Sequence, residues 1–407
     1  MNIKCLRCKG RNFCGRDFCP IIAKKNSMAS VNTSFKQKEN FSTQSPASFV
    51  GHKNYPNLNV GILAPPAKPG FDTNLYDSPR DWSSKNYGIP DLIGLRSSLL
   101  NSRFKANVHL TNPDKALKSS QEISLSRKAV DVDVNLKQKP SFRISYDSMT
   151  PPMGPRGDLK KFELTSNPRI SRKVDQAVSD TGLKAGDALK FLYKHNHDEN
   201  FLSKALSMGN FGLKQNRKLV PTRWSITATD DSLGTEYINQ IRQYPETDYQ
   251  AFFGGYLGNH FLVLFLPEKW SYELFETYMP NVSWNTTRNI QYTTDYEDFR
   301  GRTTYAENCA GGYYAARLPV TEKLRSMKRQ ATCIVFRTIT SDYAVPLGVW
   351  VVREATRKAL NTRPLKFDSR ARLFNYAKIL AYKKFGYDLN QMLKKSKLLN
   401  QRKLTQF

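Results

Sequence analysis

No stretch of this 407-residue chain approaches the ~20 consecutive apolar residues that a bilayer-spanning helix needs, so no membrane association is expected. The first twenty residues also lack the apolar run of a secretory signal, being basic and cysteine-rich instead. Cysteine is scarce beyond that point. Of six in all, four precede residue 20, which argues against a disulfide framework. Neither G-x-x-x-x-G-K nor G-x-G-x-x-G occurs, which excludes the common ATPase and dinucleotide-binding folds. No internal repeat is apparent. The last deficit is in acid: 35 Asp and Glu face 63 Lys and Arg, giving a net charge of +28 and a pI near 9.8. A soluble cytoplasmic protein drawn to polyanions follows, with DNA the expected partner and the nucleoid the expected place. A merely solvated basic surface is the bland alternative.

Patterning predicts an α+β fold. Leu92, Ile93, Leu95, Leu99 and Leu100 are spaced for an amphipathic helix, and Val174 to Lys194 reads as helical. Alternation at Ala129-Val-Asp-Val-Asp-Val134 and Phe142 to Tyr146 marks strands, as do Trp224 to Thr229, Phe252 to Tyr256 and His260 to Leu266. The β-branched run Ala331 to Thr340 predicts a buried strand. Leu347 to Leu360 and Arg370 to Lys384 look helical, and Leu389, Met392 and Leu393 could anchor a further short helix. The expected order is a zinc module at 1–22, a flexible linker at 23–45, a mixed core at 46–345, a helical part at 346–390 and a basic tail at 391–407. The linker reading rests on the polar composition of Lys24 to Ser45. No stable homo-oligomer is expected.

Cys5, Cys8, Cys14 and Cys19 form two short pairs in CLRCKGRNFCGRDFCP. Four thiolates suit tetrahedral Zn²⁺ in a structural site with no position left for substrate. A redox pair or an iron–sulfur cluster competes. At the other end the sequence reads QRKLTQF, placing Gln401, Leu404 and Phe407 in the Q-x-x-L-x-x-F pattern of sliding-clamp-binding peptides. One 3₁₀-like turn brings Leu404 and Phe407 onto one face as apolar anchors, with Gln401 at the pocket rim.

Two internal segments carry candidate site residues. Arg217, Lys218 and Arg223 beside Trp224 suit phosphate contact with base stacking; a surface loop entering a core strand is the alternative. In Phe299 to Tyr314, Arg302, Tyr305 and Glu307 are the catalytic candidates. Asp295, Glu297 and Asp298 just upstream could join Glu307 around Mg²⁺, although a solvated turn reads equally simply. His195 and His197 fit the end of a helix. Cys309 and Cys333 lack a nucleophile signature.

Long, idiosyncratic stretches carry a resemblance over nearly the whole chain: CLRCKGRNFCGRDFCPI from Cys5, SPASFVGHKNYPNLNVGILAPP from Ser45, NFGLKQNRKLVPTRWSITATDD from Asn210, FRGRTTYAENCAGGYYAARLPV from Phe299 and VPLGVWVVREATRKAL from Val345. In these the chain resembles the Nre (novel repair) family of archaeal DNA repair proteins. The resemblance implies an archaeal source, a role in DNA repair and recruitment by the clamp PCNA, but no defined reaction. A clamp-recruited enzyme acting on DNA or nucleotides around residues 299–314 stays open beside a pure binding protein.

Overall fold

The computed structural model describes residues 8–11, 13, 18–35, 39–109, 113–142 and 152–400. The chain divides into two compact units, one formed by residues up to 233 with 345–347, the other by 234–344 and 348 onward. Each is built on a six-stranded sheet. The mixed α+β class is as expected, but the boundary is not: one core over 46–345 is replaced by a division near residue 233.

In the first unit the strands are β1 (Asn40–Ser45), β2 (Ala47–Val50), β3 (Asn57–Ala64), β4 (Leu100–Asn107), β5 (Val130–Leu136) and β6 (Arg156–Leu164). Their order is β1-β5-β6-β4-β3-β2, antiparallel except where β4 meets β6. The alternating sequence of β5 is read out directly: Val130, Val132, Val134 and Leu136 are buried, while the residues between them are not. Ile62, Leu100, Ile123 and Phe162 complete that cluster.

The expected linker is structured. Pro20–Phe35 is helical and β1 pairs with β5 along its length. Met28, Val31 and Phe35 are buried at spacings of three and four, a sparse stripe that polar neighbours hide from a composition-based reading. The Phe35 ring meets Phe41 with centroids 4.5 Å apart. Polar β1 holds its place because an edge strand takes its backbone bonds from its neighbour, and Ser45 adds a 3.0 Å hydroxyl bond to the Leu63 carbonyl. The expected strand at Phe142 to Tyr146 lies largely outside the described residues.

The second unit contains β7 (Tyr249–Tyr256), β8 (Asn259–Leu266), β9 (Ser271–Tyr278), β10 (Gln291–Glu297), β11 (Thr332–Ile339) and β12 (Leu365–Phe367), in the order β10-β9-β11-β8-β7-β12. Only the β11–β9 pair is parallel. Leu257 and Gly258 close the β7–β8 hairpin with φ of +51° and +71°. That is the double left-handed turn a tight hairpin requires. Both faces of this sheet are covered. Along β8, Phe261, Val263 and Phe265 pack into one cluster and Leu262, Leu264 and Leu266 into another. Helices Gly311–Met327 and Trp350–Leu360 cover the first face; Arg370–Phe385 and the short Asn390–Leu393 lie over the second. Of the region 346–390, residues from 348 onward thus belong to the second sheet-centred unit rather than to a separate helical part.

The strand expected at Trp224 to Thr229 is instead the start of helix Thr222–Ile241. Its β-branched residues suggest a strand, yet Ser225, Thr229 and Leu233 are buried four residues apart. Tertiary packing overrides propensity here. Among the described residues no helix is long and apolar enough to cross a membrane.

Because Phe35 is a buried anchor of the first core, Phe35→Ala should cost about 3–5 kcal/mol in denaturant unfolding. Exchange at exposed Lys25 should stay within about 0.5 kcal/mol. Equal stability of the two variants would mean that the helix does not pack as described.

Candidate nucleic-acid interface

Helix Thr222–Ile241 begins against the end of β2. The Val50 amide donates to Thr222 Oγ1 at 2.9 Å, and Ser207 Oγ lies 3.0 Å from the same hydroxyl while donating to the Val220 carbonyl at 2.7 Å. These bonds hold the first helical turn beside the β2–β3 turn, residues 51–56. Trp224 on that helical turn is 52% exposed, and Tyr55 on the strand turn is 59% exposed. Side chains this apolar are normally covered, so each exposed ring offers a stacking surface.

Cations lie among them. Arg223, Lys53 and His52 are all exposed. The His52 imidazole is pushed below its usual range, first by partial desolvation, then by the charges of Arg223 and Lys53. Neither segment, 49–59 or 210–229, contains a single acidic residue. Positive segments without a carboxylate of their own, each bearing an exposed aromatic ring, have the chemistry to hold phosphates while stacking bases.

Of the four residues expected here, Lys218, Arg223 and Trp224 are exposed but Arg217 turns inward. Its guanidinium donates to the carbonyls of Gly212 at 2.9 Å and Val178 at 2.7 Å, bracing two loops. Burial lowers its pKa accordingly. His52 escapes a sequence reading because it feels the charge of Arg223 only once the fold joins segments some 170 positions apart.

The 299–314 segment behaves differently. Asp295 and Glu297 are buried on β10 and are each engaged by an arginine: Arg302 lies 3.4 Å from Asp295, and Arg317 lies 2.7 Å from Glu297. Asp295 also accepts the Cys309 amide at 2.8 Å, fixing the turn before helix Gly311–Met327. Arg302 further donates to the carbonyls of Tyr296, Thr304 and Tyr305. Tyr305 stacks on Tyr314, and Glu307 is exposed. Glu276 pairs with Arg337, which Asn259 also holds at 2.6 Å, and the Glu276 carboxylate lies so close to Gly312 that a Cβ there would force it to shift. The segment is therefore a frame of buried ion pairs. Among the described residues no three His, Cys, Asp or Glu side chains converge as metal ligands. Cys309 and Cys333 are buried, and desolvation pushes both thiols well up, away from nucleophilic chemistry.

Of the four cysteines expected to hold zinc, Cys5 and Cys14 lie outside the described residues. Cys8 is buried, Cys19 half-buried, and neither is in a disulfide. The Phe13 amide donates to Cys8 Sγ at 3.3 Å, and the backbone turns through positive φ at Lys9 and Gly10. An amide aimed at sulfur stabilises a thiolate, so the described half of the cluster is compatible with ligation. Gln401, Leu404 and Phe407 also lie outside the described residues. His195 ends helix Ala185–Lys194 with Nδ1 2.7 Å from the Phe191 carbonyl. His197 is buried between Arg127, 2.9 Å away, and Ser171.

Fold and site together define a two-unit α+β protein with a basic, aromatic-bearing edge. Residues 13–285 match the family described as archaeal Nre, N-terminal, and residues 297–407 match archaeal Nre, C-terminal. The chain is 37% identical over 366 residues to DNA repair protein NreB of Archaeoglobus fulgidus, covering 90% of each chain. It is 36% identical over 372 residues to NreA of the same organism, covering 91% of each. DNA repair protein NreA of Haloferax volcanii is 35% identical over 324 residues, spanning 77% of this chain and 76% of that one. This chain belongs to the archaeal Nre family. No solved structure is significantly similar to it.

Two expectations follow from the buried charges. Arg317→Met leaves Glu297 buried without its cation and should cost about 3–5 kcal/mol in urea unfolding, whereas Glu307→Gln should change stability by under about 0.5 kcal/mol. The His197 imidazole is held down to about 4, chiefly by burial, then by Arg127 and His195. Since its folded value lies below the ordinary 6.5, the unfolded chain protonates first. Stability present above pH 6.5 is lost as the pH falls through about 4. His197→Gln should flatten that part of the stability–pH curve; an unchanged slope would show that His197 is not its source.

Proposed function

We propose that this protein serves DNA repair, binding DNA along the Trp224 edge and docking on a sliding clamp (PCNA) through Gln401, Leu404 and Phe407. One observation carries the DNA half: exposed Trp224 stands beside Arg223, Lys53 and His52 on segments without a carboxylate. The relatives' name, DNA repair protein, supports the repair setting. The clamp half rests on the Q-x-x-L-x-x-F spacing of QRKLTQF. A binding role is preferred to a nuclease-type reaction because Asp295 and Glu297 face arginines. Cys5, Cys8, Cys14 and Cys19 would hold a structural Zn²⁺ that tightens the N-terminal loop.

Each half can fail separately. Trp224→Ala should weaken binding of a labelled single strand by roughly 5- to 150-fold, the worth of one lost stacking partner. Arg223→Gln and Lys53→Gln should each lower the salt slope by up to roughly 0.7. Unchanged affinity and slope in all three would remove the DNA reading. Truncation after Asn400 should abolish co-elution with the clamp while leaving DNA affinity intact; equal co-elution would remove the clamp reading.

A further inference from the structure

In the second unit, a separate feature stands where the chain approaches residue 400. Glu273 projects from β9 and is fully buried, with one carboxylate serving the whole loop that follows helix Asn390–Leu393. It accepts the Ser396 hydroxyl, the Lys397 amide at 2.9 Å and the Leu398 amide at 3.3 Å. Asn400 closes the loop on itself, donating to the carbonyls of Lys394 at 2.8 Å and Ser396 at 2.7 Å. With Leu398 buried as well, residues 394–400 are held as one rigid turn.

That turn borders a cavity of about 720 Å³ against β10. Lys394, Lys395 and Lys397 line it together with Thr294, Tyr296 and Asn400. Asp298 is the sole carboxylate in the lining, and one of its oxygens already accepts the Arg300 amide. The three lysines are exposed, and among the described residues none of them is in an ion pair. Lys395 lies 5.6 Å from the ring centre of Tyr292, and Tyr296 is 41% exposed. Three like charges gathered on a rigid turn repel one another, and the one carboxylate in the lining, Asp298, cannot offset all of this. An incoming anion would. The size falls in the range of small-ligand clefts, and an aromatic face beside hydroxyl and amide groups suits a base.

We propose that this cavity is a nucleotide subsite, taking a phosphate on Lys394, Lys395 and Lys397 with the base against Tyr296. The chemistry is that of a nucleoside phosphate, whether presented by a DNA strand or as a free mononucleotide. The site is distinct from the Trp224 edge and does not depend on it. Because QRKLTQF continues directly from Asn400, the Glu273-held turn would put a nucleotide contact next to the clamp-binding sequence.

The test uses the full-length protein with Lys394, Lys395 and Lys397 all changed to Gln, positions exposed enough that folding should be unaffected, as thermal unfolding would verify. A labelled single strand is titrated by anisotropy over a range of salt, and dAMP by calorimetry. For a strand ligand, the triple variant should bind the oligonucleotide at least about tenfold more weakly, with the salt slope reduced by up to roughly 2. For a free nucleotide, dAMP binding should be lost while strand binding persists; either result supports the subsite. Trp224→Ala, assayed alongside, should lower strand affinity without touching dAMP binding, which separates failure of that edge from failure of this cavity. Wild-type affinity and salt slope of the triple variant for both probes would overturn the proposal. So would protection of none of the three lysines from acetylation when either probe is bound.

Discussion

A carboxylate withdrawn from water must find a cation or several N–H donors, and this chain meets that constraint repeatedly. In the second unit Glu297 finds Arg317, Glu276 finds Arg337, and Asp295 shares Arg302 with the Cys309 amide. In the first, Glu199 finds Arg80. Glu273 manages without an arginine because a hydroxyl and two amides converge on it. Burial still raises its pKa, since these bonds offset only part of the lost hydration. Such pairs add little net stability against apolar substitutes, but they fix geometry, because breaking one leaves a charge stranded. They set where β10 ends, how helix Gly311–Met327 starts and where the last turn sits.

The same constraint shapes the outside. Among the described residues, seven carboxylates and three arginines are buried, so the burial of charge raises the outward positive excess by four. A chain already at +28 thus hides acid it can hardly spare. Carboxylates that pattern recognition would assign to catalysis, Asp295 and Glu297, serve as the frame. The turn 51–56 with residues 222–229 of helix Thr222–Ile241, and the turn 394–400, contain no acidic residue at all.

Legibility in the sequence followed the range of the interactions. β5, β8 and β11 were readable because alternation and β-branched runs are local and survive in any context. Helix Arg370–Phe385 was readable, and Leu92, Ile93 and Leu95 marked helix Ile89–Ser97, but Leu100, grouped with them by spacing, opens β4 instead because the helix stops at Ser97. Helix Pro20–Phe35 was not readable, since only Met28, Val31 and Phe35 mark its buried face amid Ser, Asn and Lys. Trp224 was not legible as helix, and its exposure depends on where Val50 holds Thr222. Arg217 looked equivalent to Arg223 in sequence. The difference is which carbonyls lie within reach, a matter of tertiary structure alone. The division near residue 233 falls within helix Thr222–Ile241, so no Pro or Gly cluster could announce it.

Arginine and lysine divide this labour for a physical reason. A guanidinium is planar, weakly hydrated and forked, so it can leave water and still satisfy a carboxylate and nearby carbonyls together; Arg337, Arg317 and Arg353 are buried. An ammonium is compact and strongly hydrated, and among the described residues no lysine is buried. Lysines therefore stay at the water boundary, where their charge is screened and their contacts exchange freely. Phosphate contacts made there are salt-sensitive and indifferent to sequence. Buried arginines thus fix geometry inside the second unit, while the lysines leave exposed positive charge whose contacts stay open to exchange.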